Sequence, residues 1–123
     1  MIKPNLVILY VDSLQKSAQF YSELLNATPV ESSETFVMFA FGNGLQLGLW
    51  SKNTVSPSCD SIADGMEVAF IVESLEQLEG YYKKSVVQQH HITQDIAQMS
   101  FGQSFMLKDP DGHRLRFYKL ERG

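Results

Sequence analysis

The chain is short of the residues that cross-link, anchor or carry strong positive charge. It has one cysteine, Cys59, in 123 residues. That excludes an internal disulfide and a cysteine-built zinc site and suits a reducing compartment, so the cytoplasm is the expected location. The longest apolar runs, Leu6 to Val11 and Phe36 to Phe41, are six residues each, against about 20 for a membrane helix and about 7–15 for a signal-peptide core. Ten Lys and Arg stand against fourteen Asp and Glu, a net charge of −4 with no block of one sign, and the basic stripe that phosphate backbones require is missing. Neither nucleic acid nor membrane is an expected partner. Of the three histidines, His90 and His91 are neighbours that point opposite ways on a strand, and His113 falls in a turn, where exposure is expected. No His-x-His or His-x-x-x-His pair offers a metal site.

What is present is ordinary for one soluble domain: 44% hydrophobic and 20% charged residues, enough to bury roughly two-thirds of the unfolded surface. The chain also repeats itself. Val11-Asp12-Ser13-Leu14 returns as Val72-Glu73-Ser74-Leu75, and Phe20-Tyr21 as Tyr81-Tyr82, all at an offset of 61 residues. The β-rich runs Leu6 to Val11 and Val68 to Val72 each precede a helical pattern, with Asp12 and Gln15, then Ser74 and Gln77, at capping-box spacing. Further strands are expected around Thr28 to Glu31, Phe36 to Phe41 and Leu45 to Trp50, with Gly42-Asn43-Gly44 as a hairpin turn. In the second half they are expected around Val86 to Ile96, Phe101 to Lys108 and Arg114 to Leu120. Each half therefore reads strand, helix, three strands.

Alternation along a strand sorts its two faces. Val7, Leu9 and Val11, Leu45, Leu47 and Leu49, and Val68, Phe70 and Val72 are uniformly apolar and should meet the helices. The opposite faces are mixed: Leu6, Ile8 and Tyr10; Gln46, Gly48 and Trp50; Glu67, Ala69 and Ile71; Arg114, Arg116 and Tyr118. Aromatic rings with a few isolated polar groups are what a ligand cavity presents, and Gly48 beside Trp50 leaves room for a flat molecule. A solvent face or a subunit interface is the plainer alternative.

The duplicated unit, the opening Asn5 to Leu14 with Phe20-Tyr21, and Asp109-Pro110-Asp111-Gly112-His113 before a final strand resemble the glyoxalase/bleomycin resistance/dioxygenase (vicinal oxygen chelate) superfamily over nearly the whole chain. Pro4-Asn5-Leu6 with Tyr10-Val11, Leu49-Trp50-Ser51, and Phe101-Gly102 through His113 with Arg116 look most like its phenazine antibiotic-resistance members. The resemblance implies an α+β fold of two βαβββ modules forming half-barrels, about residues 1–50 and 65–123 of a single domain 1–123, joined by a linker at 51–64. It also implies a homodimer with ligand clefts. Metal-dependent members carry ligands at positions that correspond here to Leu6, Gln46, Glu67 and Arg116. Leucine has no lone pair, glutamine is a weak neutral ligand, and arginine brings a permanent positive charge. A one-residue slip of the fourth strand would substitute Leu45 or Leu47, so no metal and no other cofactor is expected.

Other chemistry is thin. Cys59 lies among Ser58, Asp60 and Ser61 with no activating base, no serine sits in a Gly-x-Ser-x-Gly turn, and Gly42-Asn43-Gly44 lacks the lysine of a phosphate loop. Glu67 and Arg116 read either as a charge pair across the cleft or as an Arg116 that takes a ligand carboxylate or carbonyl while Glu67 orients it. The expected function is binding and sequestration of a planar aromatic small molecule, an antibiotic of phenazine or bleomycin type. Its site would comprise Trp50, Arg116, Glu67, Tyr10, Gln46, Gly48 and Tyr118, with Phe39 or Phe41 closing over the ring, and no catalytic residue. The alternatives are a metal-dependent lyase or dioxygenase of the same superfamily, and a module whose aromatic face binds another protein.

Overall fold

Two serines 61 positions apart start the two helices. Ser13 and Ser74 have extended backbones, and their hydroxyls accept the N–H groups of Lys16 (3.3 Å) and Gln77 (3.1 Å), satisfying donors that the first helical turn leaves unpaired. The first helix thus begins one residue later than the Asp12 and Gln15 spacing predicts. At the second, the Gln77 side chain also reaches back to accept the Glu73 N–H at 2.8 Å.

The computed structural model describes residues 4–56, 58–59 and 66–121. The chain divides into two compact units, Met1–Ser61 and Ile62–Gly123. The first holds β1 (Leu6–Val11), α1 (Leu14–Leu25), β2 (Glu31–Ser32), β3 (Phe36–Ala40) and β4 (Gln46–Ser51). Its sheet runs β1-β4-β3-β2, with β1 parallel to β4 and the other pairs antiparallel. The second holds β5 (Glu67–Val72), α2 (Leu75–Val87), β6 (His91–Met99), β7 (Gly102–Lys108) and β8 (Arg114–Leu120), in the order β5-β8-β7-β6 with β5 parallel to β8. The fold is α+β, and each unit is one βαβββ module. No helix of the described residues is long and apolar enough to cross a membrane.

The larger departures from the sequence reading are three. β2 shrinks to two residues, cut off on one side by Pro29, which has no N–H to give a ladder, and on the other by a Ser33 turn whose hydroxyl accepts the N–H groups of Thr35 and Phe36. Val86 and Val87, expected to open a strand, instead end α2, which fully buries Ser85 one turn after Tyr81; the Ser85 hydroxyl donates to the Tyr81 carbonyl at 2.8 Å. The linker expected from residue 51 starts with ordered structure: Ser51 closes β4, Lys52–Thr54 form a 3-10 turn, and Val55 is buried. The rest of that linker, at 57 and 60–65, lies outside the described residues.

In the first unit Leu9, Val11, Leu47, Leu49, Val37 and Phe39 are buried, as are Tyr21 and Leu24 of α1. In the second the core is aromatic: Phe117 stacks on Phe105 (5.1 Å, 4°), Phe70 (4.9 Å, 23°) and Tyr81 (5.1 Å, 25°). Outside it, the Tyr82 hydroxyl donates to Asp95 at 2.6 Å, tying α2 to β6. That bond, then lost hydration and the Asp95 charge, holds the phenol above its usual value.

Candidate functional site

Because each helix covers one face of its sheet, the candidate residues lie on the other. In the first unit the strand registers set three rows: Tyr10, Trp50 and Phe36; Ile8, Gly48 and Met38; Leu6, Gln46 and Ala40. Tyr10 meets Trp50 edge-on at 6.2 Å and 82°, and Phe36 meets it from the other side at 6.5 Å and 88°. Leu6, Ile8 and Tyr10 remain 37–38% exposed, so this apolar face is not closed within its own unit.

The space over Gly48 is already used. A side-chain carbon there would come within 2.6 Å of Phe36 Cζ and 3.5 Å of Ile8. Gly48 therefore seats the Phe36 ring instead of leaving a slot for a guest. Phe39, expected to close over the ligand, is 1% exposed in the core among the residues that pair with Leu47. Phe36 and Met38 hold the inward positions of β3. Counting back across the hairpin from Trp50 would have found them; the sequence reading took the wrong parity.

The corresponding face of the second unit is polar. Its rows are Glu67, Arg114 and Lys108; Ala69, Arg116, Met106 and Gln94; Ile71, Tyr118, Ser104 and Ala97. Arg116 is the hub. Its Nε donates to Glu67 Oε1 at 2.8 Å and its Nη2 to Oε2 at 3.3 Å. Its Nη1 donates to Ser104 Oγ at 2.8 Å and to Gln94 Oε1 at 3.4 Å. The guanidinium carbon lies 5.9 Å from the centre of the Phe101 ring, which in turn meets Tyr118 edge-on at 5.7 Å. Glu67 and Arg116 are thus partners on adjacent strands of one sheet, and not a pair across a cleft. Ser104, Gln94 and Phe101 are functional candidates that the sequence reading missed, because strand pairing, and not spacing in the chain, brings them to Arg116.

The registers also correct one correspondence. Leu6 pairs with Gln46 as Glu67 pairs with Arg114, so the counterpart of Arg116 on the fourth strand is Gly48, two residues beyond Gln46. A divalent ion finds no ligand set at either choice. Leu6 and Gly48 offer no side-chain donor, Gln46 offers only a neutral amide, and both Glu67 oxygens already face a guanidinium that would repel the ion. The residues do not fit the metal that the fold family implies.

His113 is 6% exposed, where exposure was expected. Its Nδ1 hydrogen-bonds Asp109 Oδ2 at 2.6 Å, while Asp109 Oδ1 accepts the N–H groups of Asp111 and His113 at 2.9 and 2.8 Å. Asp109, Asp111 and His113 bring possible ligand atoms within 4.8 Å of one another. These contacts lock the turn that feeds β8, and hence Arg116, into the sheet. Cys59 is half-buried.

Comparison with known proteins agrees with this architecture. The chain is 25% identical over 123 residues, 98% of its own length and 94% of the relative's, to the phenazine antibiotic resistance protein EhpR of Enterobacter agglomerans. It is 41% identical to a protein of Agrobacterium tumefaciens solved by solution NMR, with a TM-score of 0.86 over 99% of this chain and all of that one. A glyoxalase-related enzyme from Fulvimarina pelagi shares the fold, with a TM-score of 0.87 at 20% identity over 97% of this chain and 88% of that one. The model of the Glyoxalase/Bleomycin resistance protein/Dioxygenase superfamily matches residues 3–117, and the chain belongs to that superfamily.

Proposed function

We propose that the protein binds a planar aromatic small molecule and lowers its free concentration, as an antibiotic-sequestering protein would, acting as the homodimer that the family resemblance implies. The observation that carries this reading is the Tyr10, Trp50 and Phe36 row. Both neighbouring rings meet the indole at close to right angles and neither stacks on it, on an apolar wall whose Leu6, Ile8 and Tyr10 stay 37–38% exposed, an arrangement that supports a stacked guest. Removing about 250 Å² of apolar surface from water contributes on the order of 6 kcal/mol at about 25 cal/mol per Å², before the cost of association. Stacking adds about 0.5–1.5 kcal/mol per aromatic pair, which brings micromolar affinity within reach.

The similarity to a phenazine antibiotic resistance protein supports a tricyclic guest. The polar cluster around Arg116 supports binding over turnover: a guanidinium stands where the family resemblance puts a metal ligand, and it hydrogen-bonds both Glu67 oxygens and the Ser104 hydroxyl. Trp50 is the only tryptophan, so its emission reports on the wall directly. Titration with phenazine should quench it with a micromolar Kd, confirmed by calorimetry, and Trp50→Ala should weaken binding at least about tenfold. Absence of binding by phenazine and by other planar tricycles would leave the protein-binding alternative in its place.

A further inference from the structure

The hydrogen-bond inventory of the second unit says what kind of polar group its open face accepts. A guanidinium has five N–H donors. In Arg116 the Nε hydrogen and one Nη2 hydrogen go to the two oxygens of Glu67, and both Nη1 hydrogens go to Ser104 and Gln94. One Nη2 hydrogen is left. A carboxylate is gripped well only by two parallel N–H donors, and the edge of Arg116 that has such a pair is occupied by Glu67. An acidic guest would have to displace Glu67 or bind beside a like charge. Phe101 lies against the guanidinium as well.

The acceptors tell the opposite story. Each Glu67 oxygen has two lone-pair directions and spends one on Arg116. The Glu67 side chain keeps 36% of its surface exposed, against 16% for Arg116. What the cluster presents outward is therefore carboxylate lone pairs, with Arg116 between Glu67 and the ring of Phe101 and with Arg114 paired to Glu67 across the strands. Ser104 is fully buried under Arg116 and offers nothing to a guest.

Resting on the reading that this chain binds an aromatic guest, we infer that the open face of the second unit, taken by itself, favours a guest that carries an N–H donor, neutral or protonated, with Glu67 as acceptor, and disfavours carboxylates. Arg116 is then a positioning residue that holds Glu67 outward-facing, and not the anion receptor that its charge suggests. The net charge of −4 favours the protonated among these guests over distance.

The test is calorimetric titration at neutral pH with three probes on one ring system: 2-aminophenazine, phenazine and phenazine-2-carboxylate. The amine should bind about tenfold more tightly than phenazine, and the carboxylate about tenfold more weakly. In Glu67→Gln the advantage of the amine should shrink to less than about threefold, while the carboxylate gains. Equal affinities, a carboxylate that binds most tightly, or an unchanged preference in Glu67→Gln would each overturn the inference and leave aromatic binding standing. Failure of all three probes would remove that reading and this one together.

Discussion

Adding a methyl group at Gly48 would set a carbon 2.6 Å from Phe36 Cζ and 2.8 Å from Cε1, well inside van der Waals contact. The atoms in the way are the far edge of a ring, so the sheet can stay intact if Phe36 turns away from it. Gly48→Ala should therefore cost only about 1–2 kcal/mol, and Phe36→Ala combined with it should recover part of that loss; thermal melts of the single and double variants would show the coupling. At this scale much was legible. Trp50, Tyr10, Glu67 and Arg116 lie on the faces that alternation gave them. What alternation could not convey was occupancy: Gly48 reads as empty space until the hairpin register sets Phe36 over it, and the Glu67–Arg116 pair, one of two readings open in the sequence, gains Ser104 and Gln94 only when β6 and β7 are laid beside β8.

Among the elements, the start of β7 tolerates least. Gly102 has φ +142, and a side chain there would run into the backbone carbonyl of Lys119, with Glu121 N 3.0 Å away. Both obstacles are backbone of the strand end it pairs with, so neither can swing aside. Gly102→Ala should cost about 3 kcal/mol or more, seen as a fall in the urea midpoint with circular dichroism as the probe. The adjoining Phe101 packs on Arg116, which ties this turn to the polar face. Of the duplicated helix starts, capping-box spacing found Ser74 but set the first cap at Asp12, one residue before Ser13; the 61-residue offset that pairs Ser13 with Ser74 held the answer. The interiors diverge in a way no motif search reveals. Ser17 and Leu78 are equivalent and both fully buried, as are Leu24 and Ser85, so the large and the small residue exchange places between the two helices. Packing volume is preserved within each helix and not position by position, and for that reason only part of the repeat survives as identity.

Over the whole molecule the reading turns on chemistry that the scaffold lacks. If Arg116 and Glu67 satisfy one another, purified protein should carry no stoichiometric divalent metal, and treatment with EDTA should leave phenazine affinity unchanged; elemental analysis beside titration before and after chelation checks both. A stoichiometric ion whose removal abolishes binding would restore the lyase or dioxygenase alternative. The superfamily was legible because the offset, the Asp109 to His113 turn and the length act together, whereas the character of each open face depended on pairings between distant strands. Along β1 and β4 the exposed side chains Leu6, Ile8 and Tyr10 and the half-buried Gln46 and Trp50 interleave with the core residues Leu9, Val11, Leu47 and Leu49. Apart from Gly48, which seats the Phe36 ring, these open-face positions can change with little disturbance of the packing that keeps their neighbours in place. Under the proposed function, a lineage confronted with a new toxin would redraw what it captures through a handful of codons, and the hydrophobic interior need not change.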